Sequence, residues 1–157
     1  MSRTSTVFAL SLTLFVLFVL FAVSACTGTP ADVTATRTSL QLPPCPDSPN
    51  CVSTQAAATD SEHFIAPLSY IGSSEEAKQR LLAVITALPR STIITNEGNY
   101  LHAEFRSRIF RFVDDVQFLI DDNTKTIHFR SAARMGRSDL GVNRVRMEEI
   151  RTGFGGF

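Results

Sequence analysis

The stretch from Phe110 to Arg151 constrains the fold of this chain more than any other. It reads FRFVDDVQFLIDDNTKTIHFRSAARMGRSDLGVNRVRMEEIR, with apolar residues first at strand spacing and then at helical spacing. Arginines, aspartates and one asparagine are threaded through it in a way that a merely solvated surface does not require. Val116, Phe118 and Ile120 alternate with polar neighbours, and so do Ile127 and Phe129. Asp121-Asp122-Asn123 supplies the turn between them, so the pattern predicts strands over Val116 to Ile120 and Thr126 to Ser131, with His128 and Arg130 on the second strand's polar side.

The preceding residues extend this sheet. Ser91 to Asn96 is β-branched and turns at Glu97-Gly98-Asn99 into a strand from Tyr100 to Ser107. There Leu101, Ala103 and Phe105 face a core, and Tyr100, His102, Glu104 and Arg106 face away. His63 to Tyr70, interrupted by Pro67, reads as an extended arm or edge strand. One helix opens at Ser73-Ser74, where Glu76 completes a capping box, and presents Ala77, Leu81, Val84, Ile85 and Leu88 on one face until Pro89 stops it. A second is expected to start at Ser138 or Asp139, to end at Gly153, and to bury Leu140, Met147, Ile150 and Phe154. The four strands from Ser91 to Ser131 follow the first helix with no crossover helix between them. The expected fold is therefore α+β, a small antiparallel sheet of about four to five strands packed with two helices.

The chain has 157 residues, room for one core after an apolar leader, and a formal net charge of +0, which gives nucleic acid no electrostatic hold. The positive charge is mostly arginine and gathers late, at Arg106, Arg108, Arg111, Arg130, Arg134, Arg137, Arg144, Arg146 and Arg151. Forked guanidinium groups suit carboxylate or phosphate partners, or salt bridges with the interleaved Asp and Glu.

The leader carries Arg3 and then an apolar run from Val7 to Val23. At about 1.5 Å per residue this helix reaches about 25 Å, slightly short of a bilayer core of about 30 Å, which favours an export signal over a span. The run closes on Val23-Ser24-Ala25-Cys26, which resembles the lipobox of bacterial lipoproteins, whose cysteine is acylated and becomes the new N-terminus. That resemblance implies a signal peptide over 1–25, lipidation at Cys26 and membrane attachment in a bacterial cell envelope. Thr27 stands where lipoproteins kept at the inner membrane often have Asp, which leans toward the periplasmic face of the outer membrane. Thr27 to Leu42 has no usable apolar period and reads as a tether that reaches on the order of 22 Å. The expected organisation is acylated cysteine and tether over 26–43, then one domain over 44–157.

With Cys26 set aside, Cys45 and Cys51 remain. An even remainder in an oxidising compartment favours a disulfide across the Pro-rich turn, which contributes about 2 kcal/mol. A redox-active pair and a metal site are the alternatives. The first lacks the two-residue spacing and the following helix, and the second has only the scattered His63, His102 and His128 to draw on. Neither a cofactor nor a metal is called for elsewhere.

The sharpest anomaly lies in the last helix. Its apolar seam, continued backwards, places Asn143 and Arg144 toward the core, so Arg144 needs a partner, for which Asp114, Asp115 and Asp139 are the candidates.

These residues carry a resemblance to the family known as domain of unknown function 1499, covering roughly Pro44 to Arg151. Its carriers are Cys45-Pro46, Ser48-Pro49-Asn50-Cys51-Val52-Ser53, Phe112-Val113-Asp114-Asp115-Val116, and Arg130-Ser131-Ala132 through Arg134 and Gly136. The longest is Ser138-Asp139-Leu140-Gly141-Val142-Asn143-Arg144, followed by Arg146 and Glu148. Met135 departs from the pattern conservatively. The family's name implies no assigned activity.

Three readings of the polar residues follow. In the first, Arg130, Arg134, Asp139, Asn143 and Arg144 converge where the last strand feeds the helix, joined by Asp114 and Asp115, and with Ser131 and Ser138 nearby form a non-catalytic module for an anionic envelope ligand or partner. In the second, an Asp acts as base and Ser131 or Ser138 as nucleophile of a hydrolase. In the third, the cluster is an internal network that fixes the helix on the sheet.

Overall fold

The computed structural model describes residues 41–156. The leader, Cys26 and most of the tether lie outside the described residues. Strands β3 (Ser91–Glu97), β4 (Tyr100–Arg106), β5 (Val113–Asp121) and β6 (Thr126–Ala133) form an antiparallel meander. On the free side of β6, β1 (Cys51–Ser53) pairs with its end and β2 (Leu68–Ser69) with its beginning. The result is a 6-stranded sheet in the order β1-β6-β5-β4-β3, with β2 sharing the β1 edge. Helices α1 (Ser74–Ala87) and α2 (Val142–Gly155) supply the other layer. The α+β expectation holds.

Period-two alternation decides which face is which. Leu101, Val116, Phe118, Ile127 and Phe129 point to the helices and are sealed against Leu81, Ile85, Met147 and Ile150. The opposite, open face carries Tyr100, His102, Asp115, Gln117, His128 and Arg130, all half-buried. α1 begins as its sequence dictates. Ser73 Oγ accepts from Glu76 N at 3.2 Å, and Glu76 Oε2 accepts from Ser73 N at 2.9 Å.

Several boundaries differ from the sequence reading. β5 starts three residues early, at Val113, and so takes Asp114 and Asp115 into the sheet. The arm over His63 to Tyr70 forms only the two-residue β2 at the edge, immediately after Pro67. Leu42 is buried, and its N–H donates to Gln55 Oε1 at 2.7 Å, so the folded chain reaches back into the stretch read as tether.

The last helix is displaced at both ends. Leu140 and Gly141 are left-handed, with φ of 56° and 81°, so the chain makes one more turn after Asp139 before α2 opens at Val142. Leu140 consequently lies outside the helix with its side chain 94% exposed, and does not belong to the core seam. Met147, Ile150 and Phe154 do. Gly153 does not stop the helix. It packs inside it against α1, where a Cβ would come within 2.9 Å of Val84 Cγ1.

Cys45 and Cys51 form the disulfide, closing the loop that leads into β1. His63 buckles that loop to the following segment. Its Nδ1 lies 2.7 Å from Asp60 Oδ2 and its Nε2 lies 3.2 Å from the carbonyl oxygen of Ser48. Only the imidazolium can donate to both. The Asp60 hydrogen bond accordingly raises the His63 pKa from its ordinary 6.5, against the opposing effect of burial. His63 likewise lowers the Asp60 carboxyl.

A group whose pKa is raised by folding stabilises fully below its unfolded value and loses that contribution as pH climbs through the raised one. The melting temperature is therefore expected to fall between mildly acidic and alkaline buffer, and His63→Gln is expected to flatten that fall. Equal slopes for the two proteins would remove His63 from the account.

Candidate functional site

Asp114 and Asp115 are consecutive in a strand, so the pleat sends them to opposite faces of the sheet. That step divides the residues expected to converge into two networks.

The first is buried under α2. Asp114 Oδ2 accepts from Arg146 Nη2 at 2.5 Å, with the two side chains 11% and 12% exposed. Arg146 Nη1 donates to Asn143 Oδ1 at 2.7 Å and to Ser131 Oγ at 3.3 Å, and its guanidinium lies 4.7 Å from the centre of the Phe105 ring. Asn143 is fully buried. Its Oδ1 also accepts from Ser131 Oγ, and its Nδ2 donates to Asp139 Oδ2 at 2.8 Å and to the Asn50 carbonyl at 3.1 Å. Asp139 Oδ2 takes the Asn143 backbone N–H as well, at 2.7 Å, so Asp139 caps the helix from outside its first turn. Asn50 continues the chain through Nδ2 to the Gly136 carbonyl at 2.6 Å.

Arg144 belongs to neither network. Its Nη1 donates to the Phe64 carbonyl at 3.0 Å and its Nη2 to the Glu62 carbonyl at 2.9 Å. None of the expected carboxylates is its partner, because one step along the helix turns Arg144 away from Asn143 toward the chain before β2. The serines are equally uncooperative as nucleophiles. Ser131 is completely enclosed with its hydroxyl committed to Asn143, and Ser138 Oγ accepts from the N–H of Leu140 in its own loop at 3.2 Å. A substrate cannot reach the first, and among the described residues no base lies within hydrogen-bond distance of the second.

The second network lies on the open face. Here charges alternate along a ladder. Arg106 Nη2 donates to Glu104 Oε2 at 2.8 Å, Glu104 Oε1 accepts from Arg134 at 2.5 Å, and Arg134 grips Asp115 with Nε and Nη2, both at 2.7 Å. His102 Nε2 closes the far end, 2.7 Å from Asp115 Oδ1. The Arg134 hydrogen bond, helped by His102 and opposed by burial, holds the Asp115 carboxyl below its ordinary range. Asp115 and Glu104 in turn raise the Arg134 guanidinium further.

Arg130 sits beside this ladder, opposite Gln117 on β5 and Ser53 on β1. Its side chain makes no hydrogen bond among the described residues. Among the described residues its Nε is the one buried side-chain nitrogen or oxygen without a partner. Burial lowers its pKa and the Asp115 charge opposes this, yet a guanidinium remains protonated at any physiological pH. Gln117 Nε2, its neighbour across the strands, is turned to the Tyr100 hydroxyl at 2.9 Å. His128 lies two residues along β6, with Thr54 Oγ1 3.3 Å from its Nδ1. His102 and His128 are on strands separated by β5, and among the described residues no group of three or more His, Cys, Asp or Glu could hold a metal ion.

The residues that meet in the buried network come from four separated stretches of sequence, all within one family match. Residues 41–154 match the family described as "Protein of unknown function (DUF1499)". The chain is a DUF1499 protein. No curated protein and no solved structure matches it. Within this DUF1499 domain Asn50, Asp114, Ser131, Asp139, Asn143 and Arg146 form one hydrogen-bonded unit, whereas Asp115, Arg130 and Arg134 serve the open face. Arg146, Glu104 and His102 lie outside the candidate site set expected from sequence. Arg146 was findable, since it follows Asn143 at i+3 and so shares its helix face.

Truncating one member of a buried ion pair strands the other. Arg146→Ala is expected to lower the unfolding free energy by roughly 3 to 5 kcal/mol in urea titration, and Leu140→Ala by no more than about 0.5 kcal/mol. The reverse order would restore Leu140 to the core.

Proposed function

We propose that this DUF1499 protein is a lipid-anchored protein of the bacterial cell envelope. It acts as a non-catalytic module that holds an anionic group of an envelope ligand or partner on its open sheet face. The observation that carries the reading is Arg130, a cation whose Nε is buried without an acceptor beside a ladder in which every other charge is paired. A buried donor left unmatched costs about 1 to 3 kcal/mol, more when charged, and a carboxylate or phosphate oxygen arriving from solvent would recover it. Tyr100, Gln117, His102 and His128 surround that position with further polar groups on the same face. Of the residues named from sequence, Arg130 is the proposed contact and Arg134 and Asp115 its rim. Ser131, Asp139 and Asn143 support the fold, and Arg144 fixes the arm before β2.

Attachment rests on the lipobox-like Val23-Ser24-Ala25-Cys26 and the apolar run before it. Acyl chains on Cys26 would contribute about 0.8 kcal/mol per buried methylene. In cells fed labelled palmitate, the protein is expected to take up label and Cys26→Ser to take up none. A wild-type protein that stays unlabelled would overturn the anchor.

Anion binding is tested by thermal stability in inorganic phosphate, citrate and glycerol phosphate. Binding to the native state alone adds about 2.7 kcal/mol at a ligand concentration near a hundred times Kd. Arg130→Met is expected to melt at or above the wild-type temperature without ligand and to lose the upshift with it. If Arg130→Met instead unfolds readily, or keeps the upshift, Arg130 is a packing residue and this reading fails.

A further inference from the structure

The end of the sheet where β4 passes to β5 exposes an apolar surface that neither network uses. The β4–β5 loop presents Ile109, Phe110 and Phe112, which are 79%, 73% and 50% exposed, with the two phenyl rings stacked 5.5 Å apart. The loop is a closed structure, since the Phe112 N–H donates to Ser107 Oγ at 2.9 Å and the Ser107 N–H to the Phe112 carbonyl at 2.9 Å. The segment after β6 lies beside it, its Arg134 N–H donating to the Val113 carbonyl at 3.0 Å. That segment brings Met135, 71% exposed, and Leu140, 94% exposed. Leu140, together with Val142 and Val145 of α2, shares with Ser107 the wall of a depression of about 290 Å³. Three chain segments thus present large apolar side chains at one end, where scattered exposure is normal but clustering is not.

The charge around this surface is one-sided. Arg108, Arg111 and Arg137 are exposed and, among the described residues, make no hydrogen bond or ion pair. The loop Ser107 to Phe112 contains no acid. Of the nearby carboxylates, Asp114 is paired with Arg146, and Glu104 and Asp115 with Arg134, while Asp139 accepts from the N–H groups of Gly141 and Asn143 and Glu149 lies on the far wall of the depression.

We propose that this end of the domain docks directly on an anionic phospholipid bilayer. Phe110, Phe112 and Ile109 enter the headgroup and upper acyl region, and Arg108, Arg111 and Arg137 meet the lipid phosphates. Aromatic and aliphatic side chains ringed by unpaired arginines match a surface that is apolar inside and negative at its edge, whereas an apolar protein groove would not need three free cations. The contact is made by the folded domain itself, and it stands whether or not Cys26 is acylated.

The chain contains no tryptophan, so one introduced at the tip reports that site alone. Full-length Phe110→Trp would be placed in vesicles of phosphatidylcholine, with or without phosphatidylglycerol and with acyl-brominated lipid as quencher. The control is Ile71→Trp, 83% exposed near the Lys125 end of β6, away from the proposed surface. The expected result is a blue-shifted indole at Phe110→Trp, quenched several-fold more than at Ile71→Trp. The shift should require phosphatidylglycerol, weaken in high salt, and vanish when Arg108, Arg111 and Arg137 are all changed to Gln. All these sites are exposed, so the variants retain the fold. Water-like emission at Phe110→Trp on anionic vesicles, or quenching no greater than at Ile71→Trp, overturns the proposal. A shift that appears only in envelope membranes containing protein also overturns it, and assigns the surface to a protein partner instead.

Discussion

The side chain of Asn143 is the joint on which the DUF1499 domain depends. It is entirely enclosed, and an amide taken out of water without partners would cost several kcal/mol. Here its oxygen takes Ser131 of β6 and Arg146 of α2, while its nitrogen reaches Asp139 before the helix and the Asn50 carbonyl beside the disulfide. Arg146 extends the joint to Asp114 on β5. Sheet, helix and disulfide loop are thus fixed by one set of mutually dependent bonds. Because each member satisfies another, loss of one leaves several groups unpaired, and the network acts as a single element rather than a sum of contacts.

What the sequence disclosed, and what it did not, follows from the range of the interactions involved. Alternation in β4 to β6 and the seam of α1 are local, repeated several times, and correctly predicted the sheet, its core face and the first helix. Asn143 as a buried polar residue was also legible, because an amide at a seam position is conspicuous. Its partners were not. Asn50 is 93 residues away, and nothing in either neighbourhood names the other. The error at Leu140 has a different origin. Asp139 is a good cap, but it caps across a left-handed Leu140-Gly141 turn, a backbone choice that hydrophobic periodicity does not encode. The pairing of Asp114 with Asp115 as one cluster failed on a boundary. Starting the strand at Val116 left both aspartates in a loop, where they could converge, whereas starting it at Val113 forces them apart.

That forced separation has a functional consequence. Residues that read as one arginine-rich site are two sets with the sheet between them, and their chemistry differs accordingly. Beneath α2 the Arg146–Asp114 pair is nearly dry and its two charges are matched. On the open face the ladder from Arg106 to His102 is matched along its length; Arg106 and Arg134 border solvent and contribute weakly to stability, whereas Glu104 is as enclosed as Asp114. Arg130 is the exception on that face, half-buried and without an acceptor. A substitution beneath the helix therefore tests folding, and one on the open face can test binding with little confusion between the two.

Arg134 stands at the meeting point of the two exposed surfaces. Its side chain is the centre of the open-face ladder, while its backbone N–H is bonded to Val113 at the root of the aromatic loop. An end of the sheet resting on anionic lipid would bring phosphates close to Arg134, and they would compete with Glu104 and Asp115 for its forked donors. Those carboxylates already hold it with three short bonds, so the competition favours the protein and the ladder stays closed. Arg130 has no such competitor. Of the arginines described on the open face it is the one free to accept an anion without first breaking a bond, which is why the binding reading rests on it rather than on the more conspicuous Arg134.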